Sequence, residues 1–315
     1  MSAVSRDGAT GPRAASDLRG EQDPRAVPEG PSPSRGATVP ASDRIFAGVS
    51  HGVLVIWALI VVLPLLWTVI SSFKDSLGIL ADPFALPTTW HVENFARAWT
   101  TAGIGGYFLN TVIVVGGALV LVMLLGAMCA YVLARFSFPG RSIIYFALVA
   151  GLTFPLFLAI VPLFFILQSM SLLGTYTGLI LSYVAFALPF TVFFLFAFFR
   201  QLPDEIGEAA AIDGAGDFRT FFQIMLPMAK PGMVSVAIFN FLGLWNQYLI
   251  PVVLNTDKDK YVLAQGLANM QAQQGYQTDW SGMFASVTIT IIPVLIVYVI
   301  FQRQLQGGVG PSTSK

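Results

Sequence analysis

The chain has 315 residues, of which 55% are hydrophobic and only 11% charged, against roughly a quarter charged in soluble domains. Its 17 basic and 17 acidic side chains cancel, and no nucleic-acid partner is expected. A water-soluble enzyme is excluded by this composition.

Residues 1–44 differ from the rest, being rich in Ser, Gly, Ala and Pro with Arg alternating with acidic residues. Such a segment buries too little apolar surface to offset its chain entropy, so a disordered tail is expected, solvated in preference to tethering. It lacks an apolar core behind a basic start and does not read as a secretory signal. Charge-free runs follow, from Arg44 to Lys74, Arg97 to Arg135, Arg141 to Arg200, Lys230 to Asp257 and Asp279 to Arg303. Each has room for the ~20 apolar residues that cross roughly 30 Å of hydrocarbon, and the third has room for two such helices. The prediction is an all-α polytopic membrane protein. Six transmembrane helices fall near 45–70, 110–134, 143–167, 178–200, 233–254 and 282–302, within a membrane domain of 45–302 and ahead of a tail of 303–315.

Basic residues orient the chain. With the N-terminus in the cytoplasm, Arg44, Arg135, Arg141, Arg200, Arg219, Lys230 and Arg303 fall inside, near span ends. Lys74, Arg97, Lys258 and Lys260 fall outside, each near an acidic residue. A multi-pass protein of the cell membrane with both termini cytoplasmic is expected, in contact with lipid.

In chain order, the first loop (Ser72 to about Leu109) carries Pro83, Pro87, Trp90, Phe95 and Trp99. Span two carries Gly126, Ala130 and Ala134 at four-residue spacing. Such a stripe lets helix backbones approach in a bilayer, within one chain in preference to between subunits. Pro64, Pro155, Pro162, Pro189, Pro251 and Pro293 lie within or at the ends of spans, where each removes a backbone hydrogen bond.

The segment 201–232 is polar yet patterned. Pro203 suits a first helical turn, and Asp204 and Glu205 complement its dipole. Gly214 and Gly216 can take the left-handed conformation that ends a helix. Asp217 can cap a second helix, Phe218 to Leu226, which Pro227 stops. A helix-turn-helix knob results, with Ala209, Ala210 and Ala211 exposing backbone for close docking. An amphipathic hairpin lying at the interface is the alternative.

Span five places Asn240, Gly243 and Gln247 at offsets of three and seven, on one helical face, beside Trp245. Amides that donate and accept, next to an aromatic ring, suit a polyhydroxyl solute. They equally suit helix joining or the headgroup region. A last loop, Asn255 to Ser281, is rich in Gln, including Gln271, Gln273, Gln274 and Gln277, and with the first loop suits a wet protein interface.

Cys129 is the single cysteine, and His51 and His91 do not read as a metal pair. No G-x-x-x-x-G-K-[ST] loop occurs, Gly307-Gly-Val-Gly310 lacking the lysine. No nucleophile–base constellation is visible. No catalytic residue, metal or cofactor is therefore expected.

Glu208-Ala-Ala, Asp213-Gly-Ala and Ile224-Met-Leu-Pro227 together resemble the coupling loop of ABC importer permeases. Trp245-Asn-Gln-Tyr248 with Pro251, Glu93-Asn-Phe95, Asn110-Thr111 and the tail Gly307–Gly310 resemble the carbohydrate type, to which maltose-type permeases belong. The resemblance covers about Ile45 to Gly310. It implies a sugar importer in which two permease chains form the pore. It further implies two ATP-binding cassette subunits that would close on ATP, and an extracytoplasmic solute-binding protein that would deliver the solute. On that footing Glu208, Ala209, Ala210, Asp213, Gly214, Leu226 and Pro227 couple the ATPase mechanically, and Asn240, Gly243, Trp245 and Gln247 are candidates for the solute route. Transport of a related polyol or glycerol phosphate stays open. An ion-coupled transporter would place an ionisable group inside a span, and these spans have none. A membrane scaffold would leave the knob unexplained.

Overall fold

A computed structural model describes residues 41–274 and 279–307, all helices and turns with no strand among them. The predicted tail at 1–40, Gln277 and the end of the chain from 308 lie outside the described residues, as do the side chains of Gln273 and Gln274. The chain divides into two compact units, residues 1–58 and 59–315. The first contributes the opening of helix α1 (Ala41–Ser71), so 41–44 are already helical.

In the second unit, the short α2 (Ser76–Ala81) and α3 (Glu93–Thr100) precede α4 (Ile104–Arg135), an unbroken apolar helix. Then come α5 (Arg141–Thr153), α6 (Leu156–Ser169) and α7 (Tyr176–Gln201). The polar segment holds α8 (Asp204–Ile212), α9 (Asp217–Arg219), a π-helical stretch Thr220–Met225 and α10 (Leu226–Met228). Helices α11 (Lys230–Trp245), α12 (Leu249–Leu254), α13 (Leu263–Gln274) and α14 (Trp280–Gly307) complete the chain.

Among the described residues, four helical segments are long and apolar enough to cross a membrane unbroken: Gly48–Ser71, Ile104–Arg135, Tyr176–Gln201 and Trp280–Gln304. The count reaches six if two bent pairs are each one span. Predicted span three is one of these pairs, its halves meeting at 106°. Proline disfavours helical backbone in the residue before it, and Phe154 ahead of Pro155 is extended, with φ −74° and ψ 122°. Predicted span five likewise stops at Trp245 and resumes at Leu249. That break places Pro251 in the first turn of α12, where a missing N–H leaves no bond unmade.

The core lies between α4 and α7. A β-carbon on Gly126 would stand 2.5 Å from Thr191 Cγ2, so the missing side chain lets the two helices close up. Ala118, Val122, Ala127 and Ala130 of α4 are fully buried against this seam, as are Leu195 and Phe199 of α7. The small-residue stripe of span two packs within the chain.

At the N-terminal end of α4, buried polar side chains tie the loops together. Asn110 Nδ2 donates to the carbonyls of Asp259 and Tyr261, both at 2.9 Å, and its Oδ1 accepts from the Tyr176 hydroxyl at 2.7 Å. Thr111 Oγ1 accepts from the Leu263 N–H at 2.8 Å. Asn94 donates to the carbonyls of Ser72 and Lys74, both at 2.9 Å. Arg97 donates to Asn94 Oδ1 (2.9 Å), Ser281 Oγ (3.0 Å) and Asp279 Oδ1 (3.3 Å), drawing the first loop to the start of α14. Burial pushes the Asp279 carboxyl up, but the Gly282 N–H, the Ser281 hydroxyl and Arg97 outweigh it and hold it below the usual range.

Candidate functional site: the 201–232 hairpin

The first limb starts as its residues dictate. Pro203 precedes α8 and acidic Asp204 and Glu205 fill the first turn, against the positive end of the helix dipole. The end of α8 is a Schellman motif, with the Ala215 N–H reaching the Ala210 carbonyl at 2.9 Å and the Gly214 N–H reaching Ala211 at 3.1 Å. That geometry needs positive φ at Gly214, which has φ +73°. Gly216 is extended (φ −68°, ψ 163°) and is not left-handed.

The second limb departs from expectation in two ways. Asp217 is the first residue of α9 and makes no side-chain cap bond; Gly216 occupies the cap position. Pro227 does not stop the helix, which runs to Met228 before bending by 76° at Ala229 into α11. The reason lies one turn earlier. A proline ring collides with the carbonyl four residues back, here Gln223. The stretch Thr220–Met225 widens to π geometry, with the Leu226 N–H bonded to the Phe221 carbonyl five residues back.

Glu208, Ala209, Asp213 and Gly214 are exposed along one limb and its turn, and Pro227 on the other, while Ala210 is buried and Leu226 half-buried. The limbs pack through Gly207, whose β-carbon position lies 3.4 Å from Met225 Cε, and Met225 is buried. Two large apolar side chains are left at the tip, Ile212 at 86% exposure and Phe218 at 75%.

The hairpin is braced to the C-terminal end of α4. Arg135, whose side chain is only 10% exposed, pairs through Nη1 with the Asp204 carboxylate and donates from Nη2 to the Leu202 carbonyl at 2.5 Å. One turn back, the Tyr131 ring lies 5.0 Å from Phe221 on the second limb and 5.6 Å from Phe199 of α7. An open apolar groove of about 440 Å³ lies beside this contact, between Tyr131, Val132, Phe138, Phe218 and Phe221. In the sequence Arg135 marks only the expected cytoplasmic end of a span, and nothing local singles out Tyr131. Asp204 lies 69 positions from Arg135, and no local pattern joins them.

The solute-route candidates do not share one face. Asn240 is buried, donating to Thr191 Oγ1 at 2.8 Å and to Met123 Sδ at 3.6 Å, and so joins α11 to α7 and α4. Gly243 is exposed, and Gln247, half-buried, lies past the end of α11 in the non-helical break. The offset of seven assumed a continuous helix. Trp245 is buried, its indole N–H donating to the Thr290 carbonyl at 3.2 Å and its ring 5.8 Å from Phe108. An apolar groove of about 400 Å³ beside it runs between Val112, Phe241, Ile289 and Pro293. No group of three or more His, Cys, Asp or Glu that could hold a metal is found among the described residues.

Residues 122–310, which include the hairpin and the core seam, match the family of binding-protein-dependent transport system inner membrane components. The chain belongs to this family. It is a transport component and a multi-pass membrane protein, not an enzyme. The permease is 63% identical over 273 residues, 87% of its own length and 90% of the other's, to the diacetylchitobiose uptake system permease protein NgcG of Streptomyces coelicolor. It is 31% identical over 246 residues (78% and 89%) to the trehalose transport system permease protein SugB of Mycobacterium tuberculosis. Its fold matches a chain in the crystal structure of a bacterial ABC transporter for alginate import. The TM-score is 0.74 at 22% identity, over 85% of the permease and 99% of that chain.

Proposed function

We propose that this permease is a pore-forming subunit of an ATP-driven importer for a sugar or oligosaccharide, with diacetylchitobiose the first substrate to test. The observation that carries the reading is 63% identity, across nine-tenths of its length, to a protein named for uptake of that disaccharide. In this reading residues 45–302 form one permease domain of six spans, α5 with α6 making the third and α11 with α12 the fifth. The 201–232 hairpin and both tails, 1–44 and 303–315, face the cytoplasm. The hairpin's exposed Ile212 and Phe218 support a role as a plug for an ATP-binding subunit, because apolar side chains of that size gain from being covered. A second permease chain and an extracytoplasmic binding protein complete the assembly, and ATP hydrolysis belongs to the cassette subunit. Glu208, Ala209, Asp213 and Gly214 form the docking face, and Ala210, Leu226 and Pro227 hold its shape. Coupling requires contacts at this face that differ between the inward- and outward-facing states. Trp245 and Gln247 stay candidates for the route. Asn240 serves as a helix-to-helix link.

The test is uptake of labelled diacetylchitobiose by cells lacking the gene and by cells with it restored, with trehalose and glycerol phosphate as comparators. Uptake should be lost and regained for the disaccharide. Unchanged uptake in the deleted strain would end the proposal. Orientation is read separately by impermeant thiol labelling in a Cys129→Ala background. A cysteine at Thr89 should react in intact cells and one at Asp217 should not.

A further inference from the structure

Of the four unbroken candidate spans, α4 alone has no proline inside it, whereas α1 carries Pro64, α7 Pro189 and α14 Pro293. An interior proline deletes a backbone bond, so α4 alone of the four has an amide N–H at every position, and it runs unbroken even through the pair Gly116–Gly117. Both its ends are held by polar side chains. At one, Asn110 and Thr111 bind the carbonyls of Asp259 and Tyr261 and the N–H of Leu263. At the other, Arg135 binds Asp204 and the Leu202 carbonyl at the root of the hairpin, and Tyr131 packs on Phe221 of its second limb. The helices covalently joined to the hairpin are weaker levers. Helix α11 meets it at a 76° bend and ends at Trp245, and α7 contains Pro189.

We propose that α4 is a strut carrying displacement between the hairpin and the 255–263 segment, with Arg135 and Asn110 as the positioning residues at its two ends. The proposal rests on the transport reading above. Asn110 and Arg135 stand roughly 37 Å apart along the axis at 1.5 Å per residue. Neither is a member of the docking face or of the solute route. Their task is to leave no slack: a movement of the hairpin shifts the 255–263 segment, and by reciprocity a load on that segment biases the hairpin.

The assembled transporter is reconstituted in liposomes with its binding protein and diacetylchitobiose, carrying Asn110→Ala, Arg135→Gln, Asp204→Asn or the pair Asn110→Ala with Arg135→Gln. Each variant should co-purify with the ATP-binding subunit. Asn110→Ala should lower stimulation of hydrolysis by the loaded binding protein by roughly tenfold, within the usual span of coupling between sites. Arg135→Gln and Asp204→Asn should keep hydrolysing while sugar imported per ATP falls by a similar factor. The pair should import no worse than its poorer member, because one path cannot be cut twice. Independent sites so far apart would multiply their losses. Multiplying losses overturn the strut, as does normal coupling in Asn110→Ala and Asp204→Asn. If Arg135→Gln does not assemble, Asp204→Asn decides, since its side chain is 87% exposed and carries little of the fold. Ala209→Arg separates the two levels. Normal uptake with that arginine on the docking face sinks the transport reading, while a dead Ala209→Arg beside fully coupled Asn110→Ala and Asp204→Asn sinks the strut alone.

Discussion

At the loop end of α4, amides are folded inward: Asn94, Asn110, Asn255 and Gln265 are all buried, and each is bonded to backbone carbonyls. At the hairpin end the arrangement is reversed, with apolar Ile212 and Phe218 outside and the backbone satisfied by a Schellman closure and a proline-driven π-turn. A buried amide bonded on both sides within the chain completes itself, as Asn94 and Asn110 do, whereas the Asn255 Oδ1 has no partner in the chain. An exposed phenyl ring does not complete itself. The loop end meets most of its polar needs within the chain, and the hairpin end leaves Ile212 and Phe218 uncovered.

This difference breaks first where the loop end depends on one side chain. Asn94→Leu strands the Ser72 and Lys74 carbonyls and an Arg97 donor, at roughly 2–4 kcal/mol for buried groups losing their partners. A fall in the melting temperature of the purified complex should report it, with faster amide exchange confined to 72–100. An unchanged melt would mean that water replaces the amide and that the loop end is not self-sufficient.

A smaller effect belongs to the turn. Gly214→Val should cost about 1–3 kcal/mol from positive φ alone, since a β-carbon there meets nothing within 4 Å. Asn, which tolerates the left-handed region, should recover much of it. Retention of the ATP-binding subunit on a column should follow the order Gly, Asn, Val. Equal retention would mean that the turn's shape is irrelevant to docking.

Acid probes the loop end more gently. The Asp279 carboxyl titrates below its usual range, so its contribution is complete above the unfolded value of about 3.9 and is lost as pH falls through the lower folded value. Amide exchange at 279–283 should quicken below about pH 4, and Asp279→Asn should remove that dependence. A transition that persists in Asp279→Asn would assign it to another group.

The smallest expected change in stability is the most diagnostic. Ile212→Ser and Phe218→Ser touch side chains already in the open, so the melt should move by no more than about 0.5 kcal/mol. Yet co-purification of the ATP-binding subunit should fail. Intact co-purification would remove the contrast between the two ends.

Much of this was legible in the chain, and the reasons are local. Charge-free runs mark the long helices, since a helix buried in lipid must be apolar along its length. Gly214's conformation could be read from a glycine after an alanine-rich turn. What escaped is set by tertiary packing. Pro155 signals a kink or a break equally, and only the structure gives 106°. The Asn240–Gln247 face assumed a helix that ends at Trp245, and Asn240 turned out to answer Thr191, a residue 49 positions away. Arg135 and Asp204 are joined by the fold alone.

The π-turn at Thr220–Met225 bears on how such permeases diverge and how they can be rebuilt. It holds one more residue than an α-helix would use, and one residue is about 100° of rotation. Deleting a residue there would remove that extra residue and turn everything after it, α11 included, by that angle, while setting the Pro227 ring back against the carbonyl that the wider turn avoids. A chimera that borrows a relative's 201–232 segment therefore inherits a rotational phase along with a docking surface. Matching the number of residues across 220–225 should matter more to a working graft than matching their identities.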